Sequence, residues 1–292
     1  MNFPKISIVT PSFNQGKYLE QTILSVLDQN YPNLEYFIID GGSTDNSVEI
    51  IKKYESKITF WVSEKDGGMY EAIQKGFSRS TGDIMAWINS DDMYHKNAFN
   101  NVAKVFHAFS EIKWLQGNPT TFDRSGELVL VRPLRRWSKY NYYTGDHEWI
   151  QQESTFWKRS LWEMAGGSLN TAMRFAGDYD LWLRFFRHEK LYVSNMLLGG
   201  FRISNENQLS SGNLKNYLKE LNGTLLKEVL DQKSLKQIAK IKGVKKIMDK
   251  TSRINIGSLK LKYHRLFEYP PQVVFNVGSQ KFELKEADGY TY

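Results

Sequence analysis

The residues best suited to chemistry are acids that stop apolar runs. Ile84 to Ile88 are almost unbroken apolar residues, and the run ends at once in Asn89-Ser90-Asp91-Asp92. Successive side chains of a strand point to opposite faces, so adjacent aspartates converge on one ligand only where the strand has broken into a turn. Paired carboxylates at such a place suit a hard divalent cation that carries phosphates. The same residues also read as a polar turn capping the next helix. Asp40 ends a second run, Tyr36 to Ile39, beside Gly41 and Gly42, which allow a ligand close to the backbone. An ionised carboxylate only accepts hydrogen bonds, so it selects a base with a ring N–H, as in uracil, thymine or guanine. A cap or turn aspartate is the competing reading. Asp66 precedes Gly67, Gly68 and a helix start, offering a carboxylate and free backbone N–H groups, or simply a capped loop. Asp180 and Arg184 are four apart and share a helical face, which predicts that they pair. Asp178 is left at the helix start, as an N-cap or as a general base standing across the crevice from the metal.

The elements that position these acids follow from periodicity. Strands are expected over Ile6 to Thr10, Tyr36 to Ile39, Ile58 to Val62 and Ile84 to Ile88. Helices between them carry Tyr18 to Leu27, Val48 to Ile51 and Met69 to Phe77. Strand and helix alternating in this way predict an α/β fold, a mostly parallel sheet with helices on both faces. Beyond Asp92 the expectations are a helix through Phe99 to Phe106, short strands at Lys113 to Gln116 and Leu128 to Val131, and an irregular stretch from Tyr140 to Trp157. A short helix from Ser160 to Ala165, a helix from Asp178 to His188, a strand at Leu191 to Val193 and a loop from Arg202 to Gly212 complete the first unit. From Asn213 onward Leu, Ile and Val recur among lysines, which suggests two amphipathic helices. The expected domains are 1–212, catalytic, and 213–292, a basic and mainly helical extension.

Composition narrows the classes of function. With 292 residues the chain can bury a sizeable core, and 14% aromatic residues supply rings that stack on bases or sugars. Cysteine is absent, so disulfides and thiolate metal sites are excluded. No apolar leader or run of the ~20 residues that span a bilayer is seen, so a cytoplasmic location is expected. The net charge is +7, and residues 213–266 hold fourteen Lys and Arg against four acids, 14 − 4 = +10. The basic character therefore belongs to the extension, and nucleic acid is not an expected partner. That segment reads as a solvated helical face, as an oligomerisation surface, or as a peripheral contact with anionic lipid at the inner membrane face.

Five stretches in order, Ile-Val-Thr-Pro-Ser-Phe-Asn, Asp40-Gly-Gly-Ser-Thr-Asp, Asp66-Gly-Gly-Met-Tyr-Glu-Ala, Asn-Ser-Asp91-Asp92 and Asp178-Tyr-Asp-Leu-Trp-Leu-Arg, resemble the family 2 glycosyltransferases of GT-A (Rossmann-like) fold, particularly bacterial polysaccharide and lipopolysaccharide enzymes. The resemblance covers about Ile6 to Ser210. It implies an inverting transferase that moves a sugar from a nucleoside diphosphate, above all UDP, to a glycan or lipid-linked acceptor. It further implies that Thr10, Pro11 and Asp40 line the nucleobase pocket, that Asp66 lies close to the nucleotide, and that Asp91 approaches the ribose or donor sugar. Asp92 would hold Mn²⁺ or Mg²⁺, and Asp178 would be the base. Glu148 to Trp157 lies where the family builds its sugar sites, which makes Trp149, Gln152 and Glu153 candidates there; His147 reads as a polar loop residue. Gln74 stands where such enzymes usually have Asn. Ser204 stands where many have His, so a histidine ligand is in doubt; Arg202 could neutralise phosphate or be a surface arginine. A non-catalytic nucleotide- or glycan-binding relative is the alternative. A dinucleotide-dependent oxidoreductase is disfavoured, because Pro11-Ser-Phe-Asn replaces the glycine-rich turn after the first strand.

Overall fold

The computed structural model describes residues 3–146, 148–203, 213–229, 232–250 and 262–286. His147, Ser204 and the rest of the loop to Gly212 lie outside them. The chain opens with β1 (Ile6–Ser12), α1 (Gly16–Leu27), β2 (Leu34–Asp40), α2 (Ser47–Lys53), β3 (Phe60–Ser63), α3 (Met69–Phe77) and β4 (Ile84–Trp87). β5 (Met93–Tyr94), α4 (Ala98–Ala108), β6 (Trp114–Gln116), β7 (Thr120–Phe122), β8 (Leu128–Val131) and α5 (Lys139–Tyr143) follow. Next come β9 (Thr155–Lys158), α6 (Arg159–Met164), α7 (Gly177–Phe186), β10 (Tyr192–Val193) and β11 (Gly199–Arg202). The last described elements are α8 (Leu214–Glu228), α9 (Gln232–Lys250), β12 (Gln272–Asn276) and β13 (Lys281–Lys285).

The main sheet has seven strands in the order β10-β6-β9-β4-β1-β2-β3. β1 pairs in parallel with β2 and β4, and β2 with β3. β9 runs antiparallel to both its neighbours. The mostly parallel α/β architecture is therefore as the alternation predicts. Every residue of β1 and β4 is buried, which explains why these strands read as continuous apolar runs. Order reverses about β1: β2 lies on one side and β4 on the other, so a crevice opens at their carboxyl ends. A second sheet, β5-β11-β7-β8, stands beside that opening.

Beneath the sheet, Trp87, Trp114, Trp157 and Trp182 form a buried aromatic stack, Trp87 lying parallel to Trp182 at 5.8 Å. Each such ring removed from water contributes on the order of 2–3 kcal/mol. These tryptophans are therefore core, and the surplus of aromatic residues is spent largely on packing.

Two departures from expectation concern the later chain. The stretch Tyr140 to Trp157 is less irregular than its composition suggests, holding α5 and the start of β9. The extension is not helical throughout: β12 and β13 form an antiparallel hairpin, and Ser194 bridges to Val273 beside the main sheet. Leu221, Ile241 and Val273 are buried, so the extension shares the core of the first unit.

Candidate functional site

Asp40 ends β2 opposite Ser12 of β1 and Ser63 of β3. Its side chain is 0% exposed, and four groups donate to it: Gly42 N at 3.2 Å, Ser43 N at 2.8 Å, Ser43 Oγ at 2.5 Å and Ser63 Oγ at 2.6 Å. The carboxylate thus organises the turn that follows the strand, three of those donors sharing Oδ2 and Ser43 Oγ meeting Oδ1. Asp66 reaches the same place from α3's side. It lies over Gly41, where a β-carbon would come within 3.1 Å of its Oδ2, and it accepts Gly68 N at 2.9 Å. Burial, with the charges of Glu71 and Asp40 adding, raises its carboxyl above the usual range. Thr10 and Pro11 are buried on β1; the Thr10 hydroxyl shares a hydrogen bond with Tyr36 Oη at 3.1 Å, facing the core. Phe13, just past the strand, is exposed at the rim of this crevice. Its signal, an aromatic residue in a loop at a strand's carboxyl end, was available in the sequence.

After β4 the chain turns sharply, with Asp92 N bonded to Asn89 O at 3.1 Å. Asp91 is half-buried and Asp92 is 0% exposed. The turn is braced from three directions. Thr22 of α1 donates to Ser90 O at 3.0 Å and Asp92 O at 2.7 Å. Arg202 N donates to Asp92 Oδ1 at 2.8 Å, and Asn89 Nδ2 to Asp92 Oδ2 at 3.0 Å. The Arg202 side chain, which the sequence offered as a phosphate group's partner or a surface residue, is 0% exposed and lies over the Tyr18 ring. Its Nε donates to Asp91 O at 2.6 Å and its Nη1 to Arg124 O at 3.2 Å. A surface arginine is thereby ruled out, and the guanidinium supports the aspartate turn from below.

Gln152 and Glu153 come to the same turn from a one-turn 3₁₀ helix, Gln152–Ser154. Gln152 Nε2 donates to Trp87 O, the last carbonyl of β4. Glu153 is buried and lies close enough to Asp92 for the ionisation of the two acids to be linked. Burial first, then the neighbouring acids Asp91 and Glu153, pushes Asp92 well up, and burial raises Glu153 to about 7.

No cluster of three or more His, Asp or Glu among the described residues is arranged to hold a metal alone. Mg²⁺ or Mn²⁺ arriving on a diphosphate needs only one or two carboxylates, the rest coming from phosphate and water. The donors present fit that need: they are all oxygens, and Asn89 Oδ1 beside Asp92 is a buried atom with no hydrogen-bond partner among the described residues. Asp92, with Glu153 next to it, would be the residue to hold such an ion.

Asp178 is the second residue of α7. Tyr70 Oη of α3 donates to Asp178 Oδ1 at 3.2 Å and to Phe175 O at 3.3 Å. The approach is possible because residue 177 is glycine, where a β-carbon would stand 2.9 Å from the Tyr70 ring. Burial raises the Asp178 carboxyl to about 6; its own helix N-terminus and Tyr70 oppose this, and the Glu220 charge adds to it. Asp180 pairs with Arg184 at 2.9 Å, as the spacing predicts. Trp149, the most exposed tryptophan at 55%, stands edge-on to Tyr217 of α8 at 6.1 Å. Tyr217 is close enough to Asp178 for that charge, together with burial, to hold its phenol far up.

The structure thus groups Asp40 and Asp66, then Asp91, Asp92, Gln152 and Glu153, and then Asp178 with Trp149 near it. Tyr70, Tyr217 and Glu220 belong to the site and were not singled out by sequence. Tyr70 lies within a stretch that marked itself, whereas nothing local distinguishes the two residues of α8.

In open α/β sheets ligands bind outside the carboxyl ends of the strands where the order reverses, and Asp40, Asp91 and Asp92 are gathered there. Residues 7–162 match the family described as Glycosyl transferase family 2, and the chain belongs to that family. An uncharacterized glycosyltransferase of Rickettsia prowazekii is 27% identical over 206 residues, 68% of this chain and 64% of its own length. The chain therefore spans less than two thirds of that relative. Among solved structures, S. aureus TarS 1-349 in complex with UDP-GlcNAc superposes with a TM-score of 0.62 at 15% identity, over 80% of this chain and 70% of that 1-349 chain. The mannosyltransferase PcManGT from Pyrobaculum calidifontis, in complex with GDP-Man and Mn²⁺, gives a TM-score of 0.58 at 14% identity over 91% and 74% of the two chains. These two likenesses show the fold, which is GT-A.

Proposed function

We propose that the protein is an inverting, metal-dependent glycosyltransferase. It would take a sugar from a nucleoside diphosphate, with UDP the foremost donor, and pass it to a hydroxyl of a glycan or lipid-linked acceptor in cell-surface polysaccharide synthesis. The observation that carries this reading is Asp178: a carboxylate raised to about 6 and oriented by Tyr70, close enough for its charge to act on Glu153, which neighbours Asp92.

Asp40 and Asp66 face the nucleobase end, with Phe13 available to stack on the base. Asp91 serves the ribose or donor sugar, Asp92 the metal, and Arg202 keeps their turn in place. A bound Mn²⁺ or Mg²⁺ would neutralise charge on the leaving diphosphate. Asp178 accepts the acceptor's hydroxyl proton while that oxygen's electron pair bonds to the anomeric carbon. The bond from that carbon to the phosphate oxygen breaks, and its pair departs with the nucleoside diphosphate. One displacement inverts the sugar, so one base suffices. Trp149 and Gln152 would serve the transferred sugar and the acceptor, Trp149 through its exposed ring. The domain limits 1–212 and 213–292 are part of this proposal, with the qualification that α8 packs on the catalytic part. Among the described residues no helix is long and apolar enough to cross a membrane. Docking of the basic extension on anionic lipid at the inner membrane face remains a proposal.

The test is turnover. Purified protein with Mn²⁺ is offered a panel of sugar nucleotides and hydroxyl acceptors, and release of nucleoside diphosphate is followed. Release from at least one donor is expected. No release and no calorimetric binding of any donor would sink the proposal.

A further inference from the structure

Helix α7 lacks a conventional start. Its N-cap is Ala176, which has no side-chain acceptor, although the first N–H groups of a helix and of the chain entering it need partners. The missing acceptor comes from α8, more than forty residues later. Glu220 Oε1 accepts Arg174 N at 3.0 Å, and its Oε2 accepts Phe175 N and Ala176 N, each at 2.9 Å. One carboxylate therefore gathers three successive amides immediately before the residues Gly177 and Asp178, and its negative charge faces the positive end of the helix.

The other end of α8 is also tied down. Glu228 accepts Arg187 Nε at 2.9 Å just past the end of α7, and Tyr143 Oη of α5 at 3.3 Å. Two attachments eight residues apart fix α8 along α7, and between them Leu221 is buried in the shared core. Tyr217, one turn before Glu220, meets Trp149.

We infer that α8 is a working part of the active site, in which Glu220 is a positioning residue for the base. The inference rests on the proposed role of Asp178. Tyr70 fixes the carboxylate of Asp178 from α3, and Glu220 fixes the backbone that carries it. With Glu220 removed, the three amides lose their acceptor, and the segment 174–178 shifts or samples other positions. Misplacing a reacting group by about 1 Å can cost roughly a hundredfold in rate.

The test uses the full chain with Glu220→Ala and Glu220→Gln, the sugar nucleotide that supports turnover in the panel, and Mn²⁺. Glu220→Ala is expected to lower kcat by about ten- to a hundredfold with donor KM within about twofold of wild type. Amide hydrogen exchange should accelerate at residues 174–176 and stay unchanged in β1 and β4. Glu220→Gln retains an oxygen acceptor of nearly the same reach, so it should recover part of both losses. Turnover of Glu220→Ala within twofold of wild type overturns the inference. So does unchanged exchange at 174–176, or a rise in donor KM that parallels the loss in kcat. Normal turnover of Asp178→Asn is a different failure, that of the proposed base. The exchange at 174–176 needs no turnover and still decides whether Glu220 holds this segment.

Discussion

The ionisation of Asp178 gives the sharpest quantitative consequence. Its carboxyl is raised to about 6, chiefly by burial. A base must be ionised to accept a proton, so activity falls as pH drops through that value. About nine-tenths of the sites are ionised at pH 7 and about one-tenth at pH 5, so kcat should fall roughly tenfold between them. The groups facing Asp178 let the limb be moved in both directions. The Tyr70 hydroxyl donates to the ionised carboxylate at 3.2 Å and favours it, so Tyr70→Phe should move the limb up by about one unit, the worth of a hydrogen bond to a charged group. The Glu220 charge disfavours the ionised form, so Glu220→Gln should move the limb down. Glu153 and Tyr217 also lie close enough to couple to Asp178, and both are unchanged in these variants. The assay is initial-rate release of nucleoside diphosphate from pH 4.5 to 8.5 at saturating donor and metal. A wild-type limb near pH 4, or shifts of the same sign in the two variants, would refute the reasoning.

Asp178→Asn should keep donor affinity and lose about 10²- to 10⁴-fold in kcat, measured by calorimetry beside turnover. Glu153→Gln removes an acid beside Asp92 that burial raises to about 7; Mn²⁺ affinity in the presence of nucleotide should then vary less with pH between 6 and 8, as followed by Mn²⁺ electron spin resonance. Arg202→Ala removes a fully buried brace of the aspartate turn, and urea unfolding should show a loss of about 3 kcal/mol. Trp149→Ala, at an exposed position, should leave stability within about 0.5 kcal/mol while raising the KM for acceptor severalfold.

Asp40, Asp91 and Asp92 were legible because they end apolar runs such as Ile84 to Ile88, long enough to be seen without neighbours, whereas Asp66 and Asp178 were marked by the helix starts that follow or hold them. Helix α3, Met69–Phe77, has the bounds its periodicity predicts. Strand β9 was not legible: Thr155–Lys158 follows a run of amides and acids, and it is held by antiparallel partners at 85 and 115 that no local pattern reveals. The tryptophans suggested sugar stacking, yet ring type alone cannot say which face is covered; Trp87 and Trp182 are core and Trp149 is not. Glu220 looked like one charge on a solvated helical face. Its work is done on amides about 45 residues away, and a long-range contact of that kind leaves no periodic trace.

The central claim is that Asp92 and its neighbours hold a metal that in turn holds the donor. Calorimetric titration of wild type and Asp92→Ala with a UDP-sugar, with Mn²⁺ and then with a chelator in its place, tests it directly. The expected result is donor binding by wild type that weakens at least tenfold with chelator, and equally weak binding by Asp92→Ala under both conditions. Tight donor binding by Asp92→Ala, with the metal dependence of wild type retained, would contradict the account.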